Sequence, residues 1–207
     1  MEILKKLIFF IVLSLAMASI SLAQTNDDPV KDFRDSYQYE DSGDYANAIK
    51  VLTTSYKSDS YEYNARLGWL HYMAGSFTES VTYYQIAINL KSFALEPRFG
   101  IAYPLAELGN WNLVIAQYQK ILEIDPMNTT ASYRLGYIYY SSAEYEKASG
   151  LFEKVVNLYP FDFDSVLMYA WSNYKMGKLR EAKILFQKAL MIEPDNASAK
   201  EGLDLIK

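Results

Sequence analysis

The chain has 207 residues, of which 51% are hydrophobic and 15% aromatic, and its formal net charge is −5. This composition excludes a disordered chain and allows one ordinary domain or one short array of repeats. The sequence has no cysteine, which excludes disulfides, thiolate metal sites and cysteine nucleophiles. The acidic balance argues against a nucleic-acid partner, because such affinity comes largely from Lys and Arg on phosphates.

The first 23 residues have the pattern of a secretory signal peptide. The basic pair Lys5 and Lys6 is followed by a short apolar run, and the segment ends in Ser21-Leu22-Ala23. This order predicts cleavage after Ala23. The alternative is an uncleaved anchor, but the apolar run is short for the span of about 20 residues that a bilayer requires. Residues 24–28 are expected to form a short disordered leader.

The export signal and the absence of cysteine together predict the compartment. Disulfides are common in eukaryotic secreted proteins, so a cysteine-free exported chain favours the periplasm or cell exterior of a bacterium. No stretch after the signal approaches the length of a membrane span. We therefore expect no stable membrane span once the signal has been cleaved.

A period of 34 residues organises the remainder of the chain. Pro126, Pro160 and Pro194 follow one another at this spacing, and so do most members of a second slot: Gly43, Gly75, Gly109, Ala143 and Gly177. Within each period the apolar residues are spaced by three and four, as in helices. A fixed period of this length predicts an array of repeats, each made of two antiparallel helices.

Recurrent small and large residues support this interpretation. A small residue stands midway along each first helix: Ser36, Gly68, Ala102, Gly136 and Ala170. A large residue recurs on each second helix: Leu52, Tyr84, Tyr118, Phe152 and Phe186. The glycine slot suits a left-handed cap at the end of the first helix, and the recurrent proline ends the second.

This pattern resembles the tetratricopeptide repeat family. The match is clearest in Leu135-Gly136 with Tyr139, Ala148, Phe152 and Pro160. The resemblance implies an all-α, right-handed α-solenoid of five helix-turn-helix repeats, at 29–60, 61–94, 95–128, 129–162 and 163–196, with a capping helix at 197–207. The third unit departs from the family, since it has Ile101-Ala102 for Leu-Gly, and Pro104 is expected to kink its first helix.

No catalytic arrangement is recognisable in the sequence. His71 is the only histidine, which leaves no alternative base for a triad and no multi-histidine metal site. We expect His71 to be packed and hydrogen-bonded. The carboxylates of Asp162 and Asp164 lie at a predicted turn, where solvated residues or helix caps are typical. The sequence therefore predicts no enzyme, no cofactor and no metal.

One face of the first helices is unusually aromatic. In the family that the chain resembles, this face lines the inner concave surface, and its ninth unit position is usually small and polar. Here that position is aromatic in all five units, and spacings of three and four place further rings on the same face. We predict a partner-binding groove of eleven rings: Phe33, Tyr37, Trp69, Tyr72, Phe99, Tyr103, Tyr133, Tyr137, Tyr140, Trp171 and Tyr174.

The charges on the same slots narrow the ligand class. These positions carry one basic residue, Lys175, and six acidic residues: Glu40, Asp41, Glu62, Glu96, Glu107 and Asp164. An acidic groove lined by rings should prefer neutral or basic ligands. The sequence thus predicts a non-catalytic scaffold in the cell envelope that binds an extended peptide or a partner helix. The alternatives are a module that stacks a cell-wall or dietary glycan on these rings, and rings that merely fill the seams between units.

Overall fold

A computed structural model describes residues 28–206, which contain eleven α-helices and no β-strand. The predicted signal peptide, 1–23, lies outside these residues, as does the predicted leader up to residue 27. The all-α class is confirmed. The chain divides into two compact units, with the division between Lys57 and Ser58.

The first unit, described from residue 28, is a single helix pair. Helix α1 covers Pro29–Asp41 and α2 covers Tyr45–Thr54. Both helices begin at a capping aspartate, because the side chain of Asp28 accepts a hydrogen bond from the Lys31 amide and Asp44 accepts one from the Asn47 amide. The buried side chains of this unit come from the predicted repeat slots: Ser36, Ala48 and Leu52.

The second unit, 58–206, contains four helix pairs and a final single helix. The helices are α3 (Tyr61–Met73), α4 (Phe77–Leu90), α5 (Glu96–Glu107), α6 (Trp111–Ile124), α7 (Thr129–Ser141), α8 (Tyr145–Leu158), α9 (Phe163–Lys175), α10 (Leu179–Ile192) and α11 (Ala197–Asp204). Consecutive helices pack against each other along the unit, which is the helix-turn-helix architecture of an α-solenoid. Among residues 28–206, no helix is both long and apolar enough to cross a bilayer.

The turns between helices occur at the predicted glycine and proline positions. The glycine slot adopts a left-handed backbone at Gly43, Gly75, Gly109 and Gly177, with φ between +72° and +76°. Ala143 takes the same conformation with φ of +60°, although it carries a Cβ. Each of α6, α8 and α10 ends two residues before a recurrent proline. The predicted helix ends are therefore confirmed.

Aromatic rings of the second helices pack directly against glycines of the first helices. The Tyr84 ring lies between Gly68 and Gly100, where an added Cβ would come within 2.8 Å and 2.4 Å of ring atoms. The Phe186 ring lies equally close to Gly202 on α11, at 2.3 Å from an added Cβ. Gly100 and Gly202 are three periods apart, so the same contact closes two different seams.

In the second unit, first helices of neighbouring repeats contact each other at three places. Helix α3 contacts α5, α7 contacts α9, and α9 contacts α11. Helix α5 runs without interruption through Pro104, whose side chain is buried, and ends at Glu107. Between α5 and α7 the surface opens into a cavity, and this opening positions the candidate site.

Candidate ligand-binding groove

A cavity of about 290 Å³ lies between α5 and α7 in the second unit. Four of the predicted groove residues line it: Tyr72, Tyr103, Tyr133 and Tyr137. The wall is completed by Glu107, Trp111 and Arg134, among others. Its lining is mainly apolar and aromatic with a few polar groups, which is the usual make-up of a ligand site.

Helix geometry explains why these tyrosines meet. Tyr133 and Tyr137 are four residues apart on α7 and therefore share one face of it. Tyr103 faces them from α5, and its ring centroid is 5.5 Å from that of Tyr72 on α3. The exposed fractions of Tyr103 and Tyr137 are 37% and 52%. Large parts of both rings are therefore accessible to a ligand.

Other predicted rings support these four or pack into seams. Trp69 lies 5.8 Å from Tyr72, and Phe99 lies 6.1 Å from the buried Tyr118. Both are partly buried against the core. Tyr140 makes an edge contact with Tyr145. Trp69 and Phe99 thus support residues of the cavity wall, whereas Tyr140 packs on α8.

The remaining predicted rings lie away from this cavity. Trp171 packs at 4.9 Å on Phe186, and its Nε1 donates a hydrogen bond to Ser198 Oγ on α11. Tyr174 packs on Trp171. In the first unit, Phe33 is half-buried and Tyr37 is 52% exposed. The use of all eleven rings as one binding set stays a prediction.

Arg134 is the polar residue of the cavity that the sequence analysis missed. Its guanidinium carbon lies 5.2 Å from the Tyr103 ring centroid, and its Nη1 donates to the Tyr118 hydroxyl at 3.5 Å. This hydrogen bond raises the pKa of the guanidinium. Arginine recurs at the same unit position in Arg34 and Arg66, a signal that could have drawn attention to it.

A second cavity, of about 340 Å³, adjoins the first at the N-terminal ends of α7 and α9. Tyr133 and Arg134 line both cavities, and Tyr159, Asp162 and Asp164 are among the other residues of the second. Burial raises the pKa of Tyr133, and the negative charges of Asp164 and Asp162 add to this effect. The two cavities share the wall formed by Tyr133 and Arg134, and we call the pair the groove. Its carboxylates outnumber Arg134.

Asp162 has the structural role that the sequence suggested. Its Oδ1 accepts a hydrogen bond of 2.9 Å from the Ser165 amide and so caps α9. Among residues 28–206, no group of three or more His, Asp or Glu side chains could hold a metal ion.

His71 lies on α3 outside both cavities. Its ring stacks on Tyr83 with centroids 5.1 Å apart. Its Nδ1 is buried with no hydrogen-bond partner among the described residues, so the prediction of a hydrogen-bonded histidine is wrong for this atom. Burial also lowers the pKa of the imidazole. A packing role explains the ring contact, but nothing in the structure explains the unpaired nitrogen.

Stacked antiparallel helix pairs with an open groove between their first helices define an α-helical repeat protein. Three family models described as tetratricopeptide repeat match residues 37–94, 130–162 and 163–196, and together they cover more than half of the chain. The chain belongs to the tetratricopeptide repeat family. None of the three stretches includes 95–128, the unit with Ile101-Ala102 in place of Leu-Gly.

Comparisons with individual proteins agree with this assignment. The chain is 25% identical over 184 residues to the TPR repeat-containing protein YpiA of Bacillus subtilis, covering 86% of this chain and 43% of YpiA. It thus spans less than half the length of that relative. Similar folds occur in a tetratricopeptide repeat protein from Parabacteroides merdae, with a TM-score of 0.72, 20% identity and coverage of 85% of this chain and 71% of that one.

Two further solved structures share the fold. YrrB, described as a TPR protein with an unusual peptide-binding site, has a TM-score of 0.71 and 14% identity, with 90% of this chain and 97% of YrrB covered. The MamA protein has a TM-score of 0.70 and 20% identity, with 81% and 93% covered. At these identities the likeness shows the fold alone.

Proposed function

We propose that the protein is a non-catalytic scaffold that binds an extended peptide along the groove of its second unit. The observation that carries this proposal is the cavity between α5 and α7, where four tyrosines meet and two of them, Tyr103 and Tyr137, are 37% and 52% exposed. Tyrosines of this kind are frequent binding hot spots, because they bury a large apolar area and keep a polar hydroxyl.

The division of the groove into two adjoining cavities favours a peptide. An extended peptide advances about 3.3 Å per residue, and its alternate side chains point to the same side. Consecutive side chains on that side can therefore enter the two cavities on either side of Tyr133 and Arg134. The peptide-binding site named for YrrB occurs on the same fold and supports the same ligand class.

The charges of the groove indicate which peptides are preferred. Glu107 lines the first cavity, and Asp162 and Asp164 line the second, against Arg134 on the wall that the two share. Excess negative charge disfavours acidic peptides and favours neutral or basic ones, through complementarity that acts mainly on specificity and association rate.

Selection from a random peptide display library tests the proposal. Peptides selected on the wild-type protein are remeasured by calorimetry on the Tyr103→Ala/Tyr137→Ala variant. We expect at least about tenfold weaker binding, since a central hot spot contributes about 2 kcal/mol or more. The matched control is Phe93→Ala/Phe161→Ala, which removes two rings that are 81% and 79% exposed and line neither cavity. Equal affinities for wild type and the tyrosine variant would overturn the proposal.

A glycan is the second candidate ligand, because Tyr103 and Tyr137 present exposed rings beside the carboxylate of Glu107. Sugar rings stack on such faces, and carboxylates accept hydrogen bonds from sugar hydroxyls. Titration of the intrinsic fluorescence with a panel of cell-wall and dietary glycans distinguishes this candidate. A saturable response that the Tyr137→Ala variant loses favours the glycan, and no response at millimolar concentration rejects it.

We also propose that the protein acts in the cell envelope of a bacterium after export. The pattern of residues 1–23 supports this location. Expression of the full chain followed by mass spectrometry of the periplasmic fraction tests it. A mature form that begins at Gln24 is the expected result, and full-length protein confined to the cytoplasm would contradict the proposal.

A further inference from the structure

Two places in the array are equivalent in sequence position, since they lie 68 residues or two periods apart. They differ in whether a lysine of the chain places its ammonium group there. At the first place an ammonium group from the chain itself is bound. The Lys91 Nζ lies 4.2 Å from the ring centroid of Tyr61 and 3.2 Å from Glu62 Oε1. The Tyr61 hydroxyl in turn donates to Glu96 Oε2 at 3.1 Å. A ring and a carboxylate thus contact a lysine side chain that stays half exposed.

The second place is the cavity of about 340 Å³ at the ends of α7 and α9. Here Tyr159 stands at the position of Lys91, and Asp164 stands at the position of Glu96. Thr129 and Thr130 replace the tyrosine ring and the carboxylate that close the first place. None of the lining residues in the described part of the chain carries an ammonium, and the small side chains leave the volume open.

The anionic groups of this cavity are available to a ligand. Asp164 is exposed and has no ion-pair partner among residues 28–206, and Asp162 uses one carboxylate oxygen to cap α9. The residue equivalent to Asp162 at the first place is Ala94, so the second place has one carboxylate that the first place lacks. The Arg134 guanidinium contacts Tyr118 and Tyr103, which belong to the neighbouring side of the shared wall.

A buried hydroxyl gives an independent indication of a ligand. Ser165 lines the cavity with none of its surface exposed, and its Oγ has no hydrogen-bond partner within the described part of the chain. An unpaired buried hydroxyl is energetically unfavourable, because it has lost its hydrogen bonds to water. The equivalent residue at the first place is Pro97, which has no such group. A ligand donor or a bridging water can satisfy this oxygen.

We propose that this cavity binds the primary ammonium group of a lysine side chain. Asp164 and Asp162 act as the anionic partners, and the rings of Tyr159 and Tyr133 form the walls, as the Tyr61 ring does for Lys91. The proposal rests on the proposed function, because the lysine belongs to the peptide that the groove binds. It adds a specific requirement for one basic side chain at one position of that peptide.

An ammonium fits this cavity better than a metal ion or an acidic group. Two carboxylates are too few for a divalent site built from protein ligands, and they repel an anion. An ammonium has three donors that can reach a carboxylate and a hydroxyl together, and it is attracted to the face of a tyrosine ring.

The experiment is an amide chemical-shift titration of the whole chain from Gln24 onward with a minimal probe. The probe is Nα-acetyl-lysine N-methylamide, and its control is the norleucine analogue, which has the same chain without the ammonium. We expect saturable shifts at the amides of Thr130, Asp164 and Ser165 with the lysine probe alone. In Asp162→Asn/Asp164→Asn, which keeps the helix cap, the dissociation constant should rise about tenfold.

Two exchanges between the equivalent places are the sharpest controls. Tyr159→Lys supplies an ammonium from the chain and should abolish the response at Ser165. Lys91→Ala removes the ammonium from the first place and should create a new response at Glu62 and Glu96. Equal responses to the lysine and norleucine probes, or an unchanged dissociation constant in the aspartate variant, would overturn the proposal.

Failure here is distinguishable from failure of the proposed function. Each display-selected peptide is remeasured with every lysine changed to norleucine. If the peptides still depend on Tyr103 and Tyr137 but not on lysine, the groove function stands and the ammonium site is rejected. If they depend on neither tyrosine, the groove function itself is rejected. Loss of about tenfold on removing one lysine, in wild type but not in Asp162→Asn/Asp164→Asn, supports both.

Discussion

The seam between α9 and α11 and the opening between α5 and α7 are built from equivalent positions but differ in packing. At the seam, Gly202 lets the Phe186 ring lie against the helix backbone. At the opening, the residue two periods earlier is Arg134, whose side chain extends toward Tyr118 and Tyr103. Glycine at this position closes the space between two first helices, and arginine occupies it while leaving a cavity beside it.

Rings at equivalent positions of neighbouring units also differ in exposure. Tyr137 and Trp171 occupy the same unit position, one period apart. Tyr137 is 52% exposed at the opening, whereas Trp171 is half-buried and hydrogen-bonded to Ser198 of α11. The exposure of a ring therefore differs between equivalent positions of the repeat, so the position within the unit does not determine it.

The largest expected effect is a difference in stability between these two rings. Trp171→Ala should lower the free energy of unfolding by about 3 kcal/mol, because it removes packing on Phe186 and a hydrogen bond. Tyr137→Ala should lower it by less than about 1 kcal/mol, since half of its surface already contacts water. Urea denaturation followed by circular dichroism measures both. Equal losses would show that the two positions do not differ as described.

Gly202→Ala should destabilise the closed seam by about 2 kcal/mol, because its Cβ would lie 2.3 Å from the Phe186 ring. In a Trp69→Phe/Trp111→Phe background, the fluorescence of Trp171 should shift to longer wavelength as α11 separates. The matched control is Gly150→Ala in α8, where an added Cβ meets no atom within 4 Å. That control should stabilise the helix by about 0.5 to 1 kcal/mol. An unchanged Trp171 emission in the first variant would contradict the prediction.

The residues with positive φ that follow α7 and α9 provide a test with a smaller expected effect on stability. Helix α7, which carries Tyr137, is followed by Ala143 with φ of +60°, and α9, which carries Trp171, is followed by Gly177 with φ of +76°. A side chain is disfavoured by about 1 kcal/mol in this conformation. Ala143→Gly should therefore raise the melting temperature and Gly177→Ala should lower it, by similar amounts. Changes of the same sign in both variants would contradict this account.

The smallest expected effect is a dependence of stability on pH that originates at His71, outside both cavities. Burial lowers the pKa of His71 on α3, so the folded state binds its proton less readily than the unfolded state. Stability should therefore fall as the pH decreases below the unfolded value of about 6.5. His71→Gln should remove this component between pH 7.5 and 5.5, as measured by urea denaturation at each pH. An identical slope in the variant would contradict it.

The helical repeats and their turns could be predicted from the sequence, because local signals determine them. The left-handed glycines, the proline-ended helices and the buried Phe152 and Phe186 all follow from a 34-residue pattern. Residue identity within one unit is sufficient for these features. The family assignment follows from the same pattern.

The groove was only partly predictable, because its exposure depends on contacts between units. The ninth position of the units was predicted as a binding surface, yet Trp171 is occupied by α11 and Tyr137 is open. Arg134 could not be predicted as a groove residue from the family pattern, because it lies outside the positions expected to line the concave surface. Its repetition with Arg34 and Arg66 was visible, but the meeting of Arg134 with Tyr118 required the packing of α6 on α7.

The position of Tyr84 between Gly68 and Gly100 also has an evolutionary consequence. Its ring belongs to the second helix of one repeat but requires glycine in the first helix of the next. A duplication or exchange that moved one repeat alone would place such a ring opposite Arg134 or Met168 instead. Because the ring also lies against Gly68, the segment that keeps both contacts runs from one first helix through the next, α3 to α5, and is one helix longer than the sequence repeat.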